Sequence, residues 1–203
     1  MRIRLPAVSL LLLLLCSCVG TSLKQTWKSP DYHKGHVEKV AAIAVDDRGE
    51  LRRGFENRFI SQLKKHRTDA MVTYDLLSLA EIKANKNAAA EQLRSAGADT
   101  VLVIRLVSTG TSYSDTRLGG ATWNALDSWY DYYSAAFLNM GTTYGSYRQS
   151  AWLETSLFDL KTEKRIWSAL TDTVVTDTTD RVAEMDKVVT KVISAMEKDH
   201  LIP

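Results

Sequence analysis

The chain has 203 residues, 45% of them hydrophobic and 25% charged, a length and balance that suit one domain or one domain with an excursion. Its formal net charge is +2, and Arg2 and Arg4 account for the whole excess, so bulk attraction to nucleic acid has no support. There is no internal repeat, no Pro- or Gly/Ser-rich linker and no heptad run.

Arg2 and Arg4 form a short basic segment ahead of the apolar run Leu5–Leu15. That run is too short to cross a hydrocarbon core, which takes roughly 20 residues as a helix. It reads as a cleavable signal. Leu15-Cys16-Ser17-Cys18 at its end resembles the lipobox of bacterial lipoproteins, with Ser17 as the small residue before the cut. The resemblance implies diacylglyceryl on the Cys18 sulfur, cleavage before Cys18 and acylation of the new N-terminus. Residues 1–17 are then signal, and no disulfide is available, because Cys16 leaves with the signal and Cys18 is capped. The residue after Cys18 is Val19 and not the Asp of inner-membrane retention, which implies the outer membrane of a diderm host. The expected partner at this end is the membrane itself, through the lipid on Cys18.

Residues 18–36 read as a lipidated tether, because Thr21, Ser22, Ser29, Pro30 and Gly35 break regular structure. Trp27 is expected to pin this tether onto the domain, with contact at the lipid interface as the alternative. The domain proper spans 37–203. Val37–Val45 is nearly continuous in apolar residues and reads as a buried strand. Asp46 and Asp47 follow in a turn and read as helix caps, with a cation site as the alternative, and Leu51, Phe55, Phe59 and Leu63 form one stripe of a helix ending near His66. Gly54 within it suggests close packing. Ala70–Leu76 is a second strand. Ser78 and Glu81 make a capping-box pair opening a helix that runs to Ala96, with Gly97 as its stop. Thr100–Val107 is the strongest strand.

Strand, helix, strand, helix, strand implies a parallel core. Ala151–Leu160 and Arg165–Val175 then alternate with period two around a polar turn and read as an antiparallel hairpin. Thr178–Leu201 closes the chain as a helix with Val182, Met185, Val189, Val192 and Met196 on one face. The expected fold is a single layered α/β domain. Its βαβαβ parallel core is extended by an antiparallel hairpin and closed by a C-terminal helix, with three helices over five strands.

An insertion, 108–149, interrupts this order. It crowds together Trp123, Trp129, Tyr130, Tyr132, Tyr133, Phe137, Tyr144 and Tyr147, while Asp127 and Asp131 are the charges between Leu118 and Tyr147. Its aromatic content argues against disorder. Spacings of three and four from Leu126 to Met140 suit an amphipathic helix, and a long hairpin is the competing form. Three uses stand side by side: extra core for the protein's own sheet, a surface for a partner or a second copy, or contact with the membrane. The candidate partner surface is Trp123, Trp129, Tyr130, Tyr133, Phe137, Tyr144 and Tyr147.

Motifs that carry chemistry are absent: there is no G-x-S-x-G, H-E-x-x-H, Walker loop or C-x-x-C. The first strand-to-helix turn carries Asp46, Asp47 and Glu50, which repel phosphate and argue against a nucleotide. His33 and His36 have no evident third ligand for a metal. Glu154, Asp159 and Asp172 read as a solvated face. No catalytic residue, metal or cofactor is expected, and the chain does not read as an enzyme.

Several segments together resemble a family of bacterial lipoproteins of uncharacterised function. They are Thr26-Trp27-Lys28-Ser29-Pro30, Val37–Ile43, Gly97–Val103, the aromatic insertion, and Glu154–Leu160 running to Ile166-Trp167-Ser168. The strand order also resembles, in layout, the N-terminal domain of the Tol-system translocation protein and the curli-secretion lipoprotein fold. Likeness of layout does not transfer function. The expected function is a non-enzymatic, lipid-anchored envelope module, on the periplasmic face of the outer membrane, that binds an envelope protein or cell-wall partner. The alternative is an oligomeric secretion component of the curli type that uses the insertion.

Overall fold

Apolar side chains at consecutive positions need a strand with both faces covered, and two such runs lie side by side at the centre of one sheet. The computed structural model describes residues 20–109, 149–175 and 180–203. In chain order the elements are β1 (Ser22–Lys28), β2 (Lys39–Val45), α1 (Gly49–Lys65), β3 (Asp69–Val72), α2 (Leu79–Ala84), α3 (Lys86–Ser95), β4 (Thr100–Thr109), β5 (Gln149–Asp159), β6 (Arg165–Val175) and α4 (Arg181–Lys198). The strand order across the sheet is β1-β6-β5-β4-β2-β3. β2 runs parallel to both β3 and β4, and the β4–β5, β5–β6 and β6–β1 ladders are antiparallel.

Side chains alternate between faces along a strand, and β2 shows what its apolar run is for. Val40, Ala42 and Ala44 face one core with Phe59 and Leu63 of α1 and Val189, Val192 and Met196 of α4. Ala41, Ile43 and Val45 face the other, with Ile82 of α2 and Ala89 and Leu93 of α3. The result is the expected α/β domain: a parallel core, an antiparallel hairpin and a C-terminal helix. Among the described residues no helix is long and apolar enough to cross a membrane.

Four local expectations change. Residues 22–28, read as tether, form β1, which adds a sixth strand to the sheet. Its partner β6 would otherwise present an open edge, and the ladder from Ser22↔Asp172 to Lys28↔Trp167 satisfies that edge. The following residues are also fixed: the Ser29 N–H donates to the Ile166 carbonyl at 2.9 Å and the Val37 N–H to the Leu201 carbonyl at 2.9 Å. Trp27 does pin this segment, its ring 5.1 Å from the Arg165 guanidinium carbon.

The helix expected over 78–96 is two helices. The Ser78–Glu81 capping box opens α2 as expected. Asn85 then leaves the helical region and becomes the N-cap of α3, its Oδ1 accepting from the Ala88 N–H at 3.0 Å. A side chain that can stand in for a backbone partner favours such a break. Asp46 and Asp47 do not cap α1. The N-cap is Arg48, without a side-chain cap bond, and Asp46 accepts from the Arg48 N–H at 2.9 Å in a local turn instead.

The inward face of α1 is also rotated from the expected stripe. Its buried residues are Arg52, Glu56, Phe59 and Leu63, while Leu51 and Phe55 are half-buried. Glu56 accepts from the N–H groups of Ala44 (3.3 Å), Thr73 (2.7 Å) and Tyr74 (3.0 Å) and from Arg52 Nε (2.8 Å). One carboxylate thereby ties α1 to β2 and to the segment after β3. Buried charge persists only when it is paired and hydrogen-bonded in this way.

Candidate functional site: an apolar crevice at the strand ends

β2 is followed by α1 on one face of the sheet, and β3 by α2 and α3 on the other. The neighbouring carboxyl ends of β2 and β4 therefore mark a switch point, the place where open α/β sheets leave a crevice. A crevice of about 240 Å³ lies there, between α1, α4 and the sheet. Ala44 and Val45 of β2, Ile104 and Leu106 of β4, and Leu153 of β5 line its floor. Leu51 and Phe55 of α1 and Met185 and Val188 of α4 line its sides. Phe55, Leu106 and Leu153 are half-buried, so apolar surface faces the open space.

The rim is polar. Asp46 and Arg48 pair across it at 2.5 Å. Arg181 and Glu184 stand at the start of α4, with the Lys187 ammonium 2.7 Å from Glu184. The Thr21 hydroxyl lies 2.9 Å from Thr173 Oγ1 and donates to Glu184 Oε2 at 3.3 Å. Thr173 and Glu184 both line the crevice. The chain thus enters the domain at the crevice mouth.

Gly54 positions one wall. A Cβ there would lie 2.9 Å from Met185 Sδ, so the absent side chain lets α4 lean on α1 with Met185 between them. The close packing expected from this glycine is present.

On the opposite face of the sheet, Arg105 and Glu154 stand opposite each other on β4 and β5. Arg105 Nη2 lies 2.7 Å from Glu154 Oε2, and Arg165 Nη1 lies 3.8 Å from Oε1. Glu154 is fully buried and Asp159 nearly so. The solvated face expected for Glu154, Asp159 and Asp172 is therefore not what forms. Two arginines on flanking strands let Glu154 sit inside, and Asp172 pairs with Lys24 of β1 at 3.3 Å. These cross-strand partners are set by register, which periodicity alone does not reveal.

A second polar cluster sits at the other end of the sheet, where Asp159 is opposite Thr100. Burial pushes the Asp159 carboxyl up, but hydrogen bonds from Lys34 and from the Thr162 N–H and hydroxyl outweigh it, and the pKa is lowered. The same hydrogen bond raises Lys34. Burial, then the charges of Asp99 and Asp159, raises Tyr32.

No protein-family model matches this chain, and no curated protein does. Solved structures do match. The chain is similar to PelC from Paraburkholderia phytofirmans, described as a dodecamer, at 14% identity and a TM-score of 0.47, over 86% of this chain and 95% of that one. It is similar to lipoprotein GNA1162 from Neisseria meningitidis at 12% identity and a TM-score of 0.41, over 79% of this chain and 99% of that one.

Cys18 and the aromatic residues Trp123, Trp129, Tyr130, Tyr133, Phe137, Tyr144 and Tyr147 lie outside the described residues. The strands that carry the insertion are described. β4 ends at Thr109 and β5 begins at Gln149, and Thr109 pairs with Ala151 beside the crevice. His33 and His36 are exposed on the segment after β1. Among the described residues no three His, Cys, Asp or Glu side chains gather as a metal site. The crevice itself was not legible in the sequence, because Phe55 and Met185 read there as ordinary core. Its one sequence signal is Gly54 on the apolar side of a helix.

Proposed function

We propose that this is an envelope protein anchored by lipid on Cys18, on the periplasmic face of an outer membrane, and acting as a binding module without catalysis. The observation that carries it is Leu15-Cys16-Ser17-Cys18 directly after a basic segment and an apolar run. Each acyl chain contributes about 0.8 kcal/mol per buried methylene, so two or more hold a protein stably on a bilayer. The position of β1 supports this reading. Ser22 opens a strand four residues after Cys18, and four residues reach at most about 14 Å. The domain would ride close against the bilayer, with the β1 start and the crevice mouth turned to it. The candidate partner surface is the aromatic insertion, whose flanking residues Thr109 and Gln149 lie at the crevice end of the sheet.

The test is Cys18→Ser in the full chain, with the N-terminal peptide of the native protein analysed by mass. The native peptide should begin at Cys18 and carry acyl groups, and the variant should move from the membrane to the soluble fraction. A native N-terminus upstream of Cys18, or a variant that stays on the membrane, overturns the anchor. For the partner surface, Trp129→Ala with Tyr133→Ala should weaken crosslinking to envelope neighbours and leave the melting temperature in place. A collapse in stability would make the insertion core instead.

A further inference from the structure

The crevice and the chain's entry point are neighbours, and this gives the crevice an occupant. Thr21 is fixed by its hydroxyl to Thr173 and Glu184 on the crevice rim. Cys18 is three residues earlier, a reach of at most about 11 Å. Anything attached to the Cys18 sulfur is thus held at the mouth by a short covalent leash, at an effective concentration no free ligand matches. The walls suit a hydrocarbon chain: Phe55, Leu106, Leu153, Met185 and Val188 are apolar, and of the charged residues that also line the crevice Asp46 pairs with Arg48, Arg105 with Glu154 and Glu184 with Lys187. About 240 Å³ is below the range of drug-sized pockets and is enough for part of one acyl chain. Arg181, exposed at the rim, is placed to donate to an ester carbonyl near the start of such a chain.

We infer that one acyl chain of the lipid on this protein's own Cys18 lies in the crevice between α1 and α4, leaving the remaining chains to the bilayer. The inference rests on the lipidation reading above and adds where one of the chains goes. It turns the anchor from a loose tether into a fixed joint and orients the described domain with respect to the membrane.

The experiment feeds a lipidating bacterial host a fatty acid bearing a diazirine, so that the label enters the lipid of Cys18 in the full-length protein. Before irradiation, the mass of the N-terminal peptide reports whether Cys18 carries the label. After irradiation in native membranes, protease digestion should give peptides containing Phe55, Met185 or Val188 joined to the Cys18 lipid. Leu153→Trp, which fills the floor from a half-buried position, should lower that product about tenfold at unchanged Cys18 labelling. Leu106→Trp serves the same purpose should Leu153→Trp fail to fold. A labelled Cys18 whose crosslinks go only to phospholipid overturns the inference and leaves the anchor standing. Crevice peptides joined to phospholipid, and not to Cys18, also overturn it, because the occupant is then a bilayer lipid. An unlabelled Cys18 overturns the anchor and the inference together.

Discussion

Glu56 shows what a single side chain contributes here. Its buried carboxylate is the acceptor for three backbone N–H groups and for Arg52. Truncating it leaves Arg52 charged and without this acceptor in the interior, which costs about 3–5 kcal/mol. Glu56→Ala should therefore lower the free energy of unfolding in urea by that amount, and a loss below about 1 kcal/mol would show that water replaces the carboxylate. Asp159 makes a smaller, pH-dependent contribution. Its pKa is lowered in the folded state, so the stability it adds is present above the ordinary aspartate value near 3.9 and is lost as pH falls through the folded value. Asp159→Asn should cost stability at pH 6 and cost progressively less towards pH 2. Because Lys34 is largely exposed, the whole effect should stay below about 1 kcal/mol. Equal losses at both pH values would remove the charge from the account.

At the scale of elements, turn and cap chemistry was legible where the signal is local. The Ser78–Glu81 box, the Gly97 stop at φ +86° and the β5–β6 hairpin all form where the residues place them. The break at Asn85 was not legible, because a cap residue inside a helical period looks like any polar position. Asn85→Ala should destabilise the domain by about 1 kcal/mol through loss of the α3 cap, read as a shift of the denaturation midpoint. Gly54 tests the packing of α1 on α4. An added methyl gains about 0.5–1 kcal/mol of helix propensity, and the atoms it meets are the flexible end of Met185. Gly54→Ala should thus be close to neutral in stability while it drives Met185 into the crevice and narrows it. A loss of several kcal/mol would show that α4 cannot shift. β1 was missed for another reason: an edge strand with one neighbour and exposed side chains carries no apolar alternation.

For the whole molecule, local pattern determined the layer architecture. Runs such as Val40–Val45 and Val101–Ile104 need cover on two faces, and the intervening helical periods supply it. The resemblance of Leu15–Cys18 to a lipobox, after an apolar run too short to span a membrane, is the equally local basis of the proposed address. Tertiary structure alone decided which residues meet: Glu56 with the ends of β2 and β3, Glu154 with Arg105 and Arg165, and Thr21 with the rim of a crevice that α1 and α4 enclose. The physical reason is range. Periodicity, capping and signal length act over a few neighbouring residues, whereas register and helix placement join positions as far apart as Thr21 and Glu184, and no short-range pattern encodes those distances.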